Sequence, residues 1–140
     1  MRYCIIIVTL AILTTNLYAK NIKLACDDIV GSSVRVAYSD GKKEVYKDSI
    51  SGGLEIELSG DGMYVDGQKY NYLSSNDKRN NDFFVSAGWF NDVSQGVYTL
   101  SGSMGTVATK GLTLTYTNTR STSDFVSTSA LIGSCKIKDN

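Results

Sequence analysis

The sequence has no histidine, no proline and no excess charge of either sign. Without histidine the chain lacks the commonest general base, the commonest metal ligand and a Ser-His-Asp triad. Basic and acidic residues number 14 each, which argues against nucleic acid or an anionic membrane as the main partner, because both reward a basic excess. We therefore predict a non-enzymatic protein with no catalytic residues, no metal and no cofactor.

Residues 1–19 have the features of a secretory signal peptide. Arg2 supplies the positive start, Ile5–Leu13 is an apolar run too short to span a bilayer comfortably, and Ala19 is a small residue suited to cleavage. The alternative is an uncleaved N-terminal anchor. We predict that the signal is removed, and that residues 20–140 form a single exported all-β domain, periplasmic or secreted, that does not insert into a membrane.

The chain has few cysteines, and their positions predict one disulfide. Cys4 lies inside the predicted signal, so Cys26 and Cys135 are the two cysteines of the exported domain. An oxidising compartment preserves such a pair as a disulfide, and the alternative is two separate buried thiols. The predicted Cys26–Cys135 bond would join the first strand of the domain to the last.

Short segments with alternating apolar and polar residues follow one another along the domain, and none shows a sustained helical period. Leu54–Leu58 and the final segment, about Phe125–Ile137, are examples, and Asp40-Gly41 and Asp66-Gly67 are signals for tight hairpins. In the strand that follows Asp40-Gly41, Val45 is expected to face inward. We predict eight to ten short strands in an antiparallel β-barrel, preferred over a β-sandwich because closure removes exposed strand edges.

The most polar segment is Ser74–Asp82, which has no apolar residue and should form a long exposed loop with Lys78 and Arg79 at its tip. In the adjacent pair Trp89-Phe90, one ring must face away from the other, so we expect one aromatic to be offered to a partner. The other aromatics of this region are best explained as core. The predicted partner-binding residues are Ser74, Ser75, Asp77, Lys78, Arg79, Trp89 and Phe90, and the alternative is a solvated loop without a partner.

Aspartates are frequent in the predicted turns. Paired carboxylates can hydrolyse a glycosidic bond and carboxylate oxygens can bind calcium, but aspartate is also an ordinary turn residue because it hydrogen-bonds nearby backbone. We interpret these aspartates as turn residues, which leaves a glycan hydrolase as the least supported class. They are Asp27, Asp28, Asp61, Asp66, Asp77, Asp82 and Asp92.

The signal, the all-β pattern and cysteines in the first and last strands resemble the periplasmic inhibitors of c-type lysozyme. In that family a small antiparallel barrel presses a loop into the lysozyme cleft, and Gly67–Leu73 followed by Ser74, Ser75, Lys78 and Arg79 is the parallel here. The small-residue motif of the family's loop is absent, so the resemblance assigns no inhibitory residue. The sequence predicts a small exported protein that binds a protein partner in the cell envelope. A lysozyme-inhibitor-like role is one such binding function. The alternative is a small-ligand carrier, which requires a cavity lined by Tyr70, Tyr72 or Trp89.

Overall fold

Ten β-strands make up the described part of the chain. The structure is a computed structural model that describes residues 21–74, 82–103 and 111–138. In chain order the strands are β1 Ile22–Cys26, β2 Ile29–Ala37, β3 Lys43–Ile50, β4 Leu54–Ser59, β5 Gly62–Val65, β6 Gln68–Ser74, β7 Asp82–Phe90, β8 Ser94–Ser103, β9 Leu112–Ser121 and β10 Phe125–Ile137. Within these three ranges there is no helix long and apolar enough to cross a membrane.

Eight of the strands close into an antiparallel barrel. Neighbours follow the order β1-β4-β5-β6-β7-β8-β9-β10, and β10 returns to pair with β1. The β5–β6, β7–β8 and β9–β10 turns lie at one end, which we call the upper end. The β4–β5 turn and the strand ends that flank residues 75–81 and 104–110 lie at the lower end. The predicted antiparallel barrel is therefore confirmed.

The predicted disulfide joins the barrel where it closes. Cys26 on β1 and Cys135 on β10 are bonded, and they lie opposite each other in the strand register. Both side chains are buried in the core. A bond of this kind is typical of proteins from an oxidising compartment.

β1 and β2 both pair with β10, one after the other along its length. β1 pairs with the end of β10 and β2 with its beginning, and between them the Asp27 amide donates to the Ser134 carbonyl. β3 and β4 return antiparallel to β2 and β1. β4 continues into the barrel by pairing with β5, whereas β3 ends the sheet. The β2–β3 hairpin therefore extends beyond the barrel wall, and we call it the flap.

The flap overturns one prediction. Val45 on β3 was expected to face inward, but its side chain is 72% exposed and lies opposite Val34 on the outer face of the flap. β3 has a strand neighbour on one side only, and of its apolar residues Ile50 packs against the barrel core whereas Val45 does not. Lys43 and Lys47 are on this strand, and charged side chains of this kind discourage a free edge from pairing with other chains.

The Asp66-Gly67 pair forms the tight hairpin that the sequence predicts. Both residues have positive φ, 47° and 81°, and Val65 pairs with Gln68 across a two-residue turn. Asp-Gly is favoured there because each central residue of this turn needs positive φ. Asp66 Oδ1 also accepts the Glu55 amide at 2.8 Å, which fixes the turn against β4.

The barrel interior is aliphatic in its lower part and aromatic in its upper part. The alternation along each strand sends every second side chain inward. The lower interior is filled by completely or almost completely buried side chains, among them Leu24, Ile56, Met63, Leu100 and Leu114. On β8 and β9, the next inward side chains toward the upper end are aromatic, Tyr98 and Tyr116, and they belong to the candidate site.

Candidate functional site

Four aromatic side chains meet in the upper interior, one from each of four consecutive strands. We call Tyr70, Trp89, Tyr98 and Tyr116 the aromatic cluster. The rings of Tyr98 and Tyr116 are stacked with centroids 4.8 Å apart, and Trp89 lies 5.4 Å from Tyr70 and 6.2 Å from Tyr116. These separations are those of favourable aromatic contacts, so the cluster closes the upper interior with packed rings.

Two hydroxyls of the cluster, those of Tyr98 and Tyr116, are held in the neutral form by burial. Burial raises the pKa of Tyr98 above its ordinary value, and the neighbouring hydroxyls of Tyr70 and Tyr116 act in the same direction. Burial also raises the pKa of Tyr116, assisted by Tyr70 and by the carboxylate of Asp48. At neutral pH these phenols are hydrogen-bonding groups rather than bases.

Gly96 makes room for the largest ring of the cluster. Gly96 on β8 lies opposite Trp89 in the register, and a Cβ placed on Gly96 would come within 2.1 Å of Trp89 Cη2. The indole therefore lies directly across the glycine. Its Nε1 points to Ser94 Oγ at 3.4 Å, so the ring is held mainly by packing.

A groove of about 640 Å³ crosses β6, β7, β8 and β9 near the upper end. This volume is within the range of ordinary ligand sites, about 300–1,000 Å³. Asn71, Gly88, Val97 and Thr117 lie side by side across the four strands. Phe90, Gln95 and Thr119 form the next row up. All of these residues line the groove, as do Tyr70 and Trp89.

Gly88 is the low point of the outer surface here. A Cβ on Gly88 would lie 2.2 Å from the Gly96 carbonyl oxygen and 3.1 Å from Leu73 Cδ1, so no side chain fits without displacing backbone. Leu73 and Phe90 stand on either side of this gap and are exposed by 59% and 81%. The groove is therefore a depression in the outer side-chain layer, flanked by two exposed apolar groups.

The structure describes three of the seven predicted partner-binding residues. Trp89 and Phe90 line the groove at the upper end, with Trp89 pointing inward and Phe90 outward, as the adjacent pair required. Ser74 ends β6, where its hydroxyl bonds that of Ser86 at 2.7 Å. Ser86 lies four residues before Phe90 on β7, about 13 Å for an extended strand. Ser75, Asp77, Lys78 and Arg79 lie outside the described residues.

A cluster of polar side chains fastens the flap to the barrel. The Ser33 hydroxyl donates to Asp48, the Ser129 hydroxyl donates to the same oxygen at 3.2 Å, and the two hydroxyls are 2.6 Å apart. Ser33 is completely buried and Asp48 and Ser129 are half-buried, so the cluster connects β2, β3 and β10 at the edge of the core. Because the sequence has no histidine to act as base, we interpret it as structural.

Several of the turn aspartates bond backbone or neighbouring side chains, as the interpretation as turn residues requires. Asp28 accepts the Gly52 amide at 2.9 Å, and Asp40 accepts the Lys42 amide at 2.9 Å. Asp61 accepts the Lys69 ammonium at 2.5 Å, and that hydrogen bond holds the pKa of Asp61 below its ordinary value. In the part of the chain that the structure describes, no three histidine, cysteine, aspartate or glutamate side chains are placed to hold a metal ion.

The site residues predicted from the sequence did not include Tyr98 and Tyr116. These tyrosines share their parity with the buried Leu100 and Leu114, and this alternation is a signal that both face inward. The register between β6 and β7 is irregular between Tyr72 and Ser74. No local signal shows that Gly88 and Gly96 lie on adjacent strands beside Phe90, since this depends on register.

Comparisons with known proteins add no relative of this chain. No protein-family model matches it, and no curated protein or solved structure is significantly similar to it. The resemblance to lysozyme inhibitors therefore remains a prediction from the sequence, and the groove has to be interpreted from its own chemistry.

Proposed function

We propose that this protein is a small exported binding protein without enzymatic activity, and that its binding surface is the groove at the upper end. The observation that carries the proposal is the exposure of Phe90 and Leu73 beside the gap at Gly88. A Phe side chain that passes from water into a contact gains about 1.5–3 kcal/mol. An aromatic ring exposed by 81% therefore retains most of that free energy for a ligand.

The buried disulfide and the signal-like residues 1–19 support a periplasmic or secreted location for this function. The missing histidine and the oxidised state of Cys26 and Cys135 support a role in binding rather than catalysis. A protein partner in the cell envelope, as with the lysozyme inhibitors, would fit the groove only if it inserts a side chain beside Phe90. The loop Ser74–Asp82 is a second candidate surface.

The small-ligand carrier is the alternative function. Its ligand would be enclosed in the barrel and would touch Tyr70, Tyr72 or Trp89. Tyr70 and Trp89 do line the groove, but their rings pack against Tyr98, and Tyr72 donates its hydroxyl to the Ser59 carbonyl at 2.7 Å. This packing supports a ligand held at the groove rather than one enclosed in the barrel.

The test compares three immobilised proteins, oxidised throughout, in an envelope extract. They are the wild type, Phe90→Ser in the groove, and Val45→Ser on the flap as matched control, because Val45 is also a large apolar side chain on a strand and is 72% exposed. We expect a protein or glycan that the wild type and Val45→Ser retain and that Phe90→Ser retains at least tenfold less. Equal retention by all three, or no retention at all, would refute a binding function of the groove.

A further inference from the structure

The lining of the groove identifies the chemical class of its ligand. We propose that the groove binds a neutral oligosaccharide, held by ring contacts at Phe90 and by amide and hydroxyl side chains around Gly88. This inference rests on the proposed binding function and specifies the ligand of that same site.

The first argument is the absence of free charge in the groove. Of the residues that line it, only Lys69 is charged, and its ammonium lies 2.5 Å from the carboxylate of Asp61. A phosphate or carboxylate ligand is normally recognised by unpaired cations in a bidentate or clustered arrangement. Nothing in this lining provides that, so the groove suits a ligand without charge.

The second argument is the kind of polar group that surrounds Gly88. Side-chain amides and hydroxyls lie on the outer face with Gly88, namely Asn71, Gln95, Thr117 and Thr119. An amide supplies both donors and acceptors, which matches a ligand whose hydroxyls also do both. On the inner face of the lining, Asn118 Oδ1 is buried without a hydrogen-bond partner.

The third argument is the combination of these groups with an exposed ring. A sugar ring presents an apolar face of C–H groups and a rim of hydroxyls. Phe90, with 81% of its surface exposed, offers a flat apolar face, and its register neighbour Gln95 offers an amide beside it. The four strands from Asn71 to Thr117 extend the row to about 14 Å, which is long enough for more than one sugar ring.

A peptide ligand fits this groove less well. Extended peptides are commonly bound by adding a strand to a free sheet edge. Here the groove lies over β7 and β8, whose backbone groups are already paired on both sides. The free edge of the described sheet is β3, which belongs to the flap. A peptide would have to rely on side-chain contacts alone, and the lining favours a ligand rich in hydroxyls.

The experiment uses the purified, oxidised protein and a panel of soluble neutral oligosaccharides. The panel contains α- and β-linked glucose hexamers, a β-linked N-acetylglucosamine hexamer and a mannose hexamer, with an anionic uronic acid hexamer and a neutral peptide as comparisons. Binding is measured by calorimetry and by the fluorescence of Trp89, which lines the groove and is the only tryptophan in the chain. The proteins are the wild type, Phe90→Ser, Gln95→Ala and Val45→Ser, each first shown to unfold at the wild-type temperature.

We expect at least one neutral oligosaccharide to bind the wild type and to change the Trp89 fluorescence, with little change in affinity between 0.05 and about 0.5 M salt because no charge is involved. Phe90→Ser should weaken binding about tenfold, which corresponds to an aromatic contact of about 1.4 kcal/mol. Gln95→Ala should weaken it several-fold, and Val45→Ser should leave it unchanged.

Two results would overturn this inference and leave the proposed function intact. One is that no neutral oligosaccharide binds while the extract yields a protein whose retention depends on Phe90. The other is that the groove binds only the peptide or the uronic acid hexamer. Oligosaccharide binding that Phe90→Ser does not weaken places the site elsewhere and also refutes the inference. If no ligand of any class depends on Phe90, the inference and the proposed function fail together.

Discussion

Breaking the Cys26–Cys135 bond should remove a large part of the stability of the barrel. The two cysteines are 109 residues apart in sequence. For a loop of that length, the chain-entropy treatment of the unfolded state predicts a loss of about 16 cal/mol/K, which is about 4.8 kcal/mol at room temperature. A domain of this size is stabilised by only about 5–15 kcal/mol in total, so the reduced protein should be close to the limit of folding.

The assay is urea unfolding of residues 20–140, followed by the fluorescence of Trp89 and by circular dichroism. Three samples are compared: the oxidised wild type, the wild type reduced with a phosphine, and Cys26→Ala/Cys135→Ala. Reduction keeps both sulfur atoms in the core and so isolates the effect of the cross-link. The double variant also loses buried volume, which should cost about a further 1 kcal/mol for each side chain.

The melting temperature gives an independent measure. A loss of about 4.8 kcal/mol should lower it by roughly 15–25 °C, given a shift of about 3–5 °C per kcal/mol for a domain of this length. A difference below about 1 kcal/mol between the oxidised and reduced wild type would refute the reasoning, because it would mean that the unfolded chain already holds its two ends together.

Three further predictions follow from the interior. Burial raises the pKa of Tyr98 and Tyr116, so above about pH 10 the folded state keeps protons that the unfolded state loses. The free energy of unfolding should therefore be unaffected below that pH and fall above it by up to about 1.4 kcal/mol per pH unit for each tyrosine. A urea midpoint that is the same at pH 9 and pH 11 would contradict this. Gly96→Ala should lower the free energy of unfolding by about 1–3 kcal/mol through its clash with Trp89 and change the near-UV circular dichroism. Adding Trp89→Phe to the same chain should recover part of that loss. If the costs of the two substitutions simply add, the two residues are not in steric conflict. Asp48→Ala should lower the free energy of unfolding in urea by about 1–3 kcal/mol because two hydroxyls lose their acceptor. Asp48→Asn keeps an acceptor oxygen and should cost less. Equal costs would show that these hydrogen bonds do not contribute to stability.

Several parts of the fold could be predicted from the sequence because they depend on local rules. The alternation of apolar residues identified Leu54–Leu58 and the long last strand, and the Asp66-Gly67 turn follows from the need for positive φ at both positions. The pairing of Cys26 with Cys135 required only that Cys4 be assigned to the predicted signal, which leaves two cysteines. Each of these conclusions rests on residues that are close in sequence or on simple counting.

The features that could not be predicted depend on which strands become neighbours. Alternation shows that Val45 and its neighbours form a strand, but it cannot show that this strand ends the sheet with Val45 exposed. In the same way, the adjacent pair Trp89-Phe90 shows that one ring faces outward, but not which one. The gap at Gly88 and the nearby Gly96 depend on the register of β6, β7 and β8. An exposed ring could therefore be predicted from the sequence, whereas the shape of the groove could not.

The position of β10 has a consequence for how the chain can be made. This strand pairs with β9, β2 and β1, all of which are synthesised before it. During synthesis, until β10 emerges, β9 has a free edge and the β1–β2 stretch lacks one neighbour along its whole length. The nascent chain therefore carries exposed strand edges that can pair wrongly, and the barrel, the flap and the disulfide can all be completed only when the same final strand arrives.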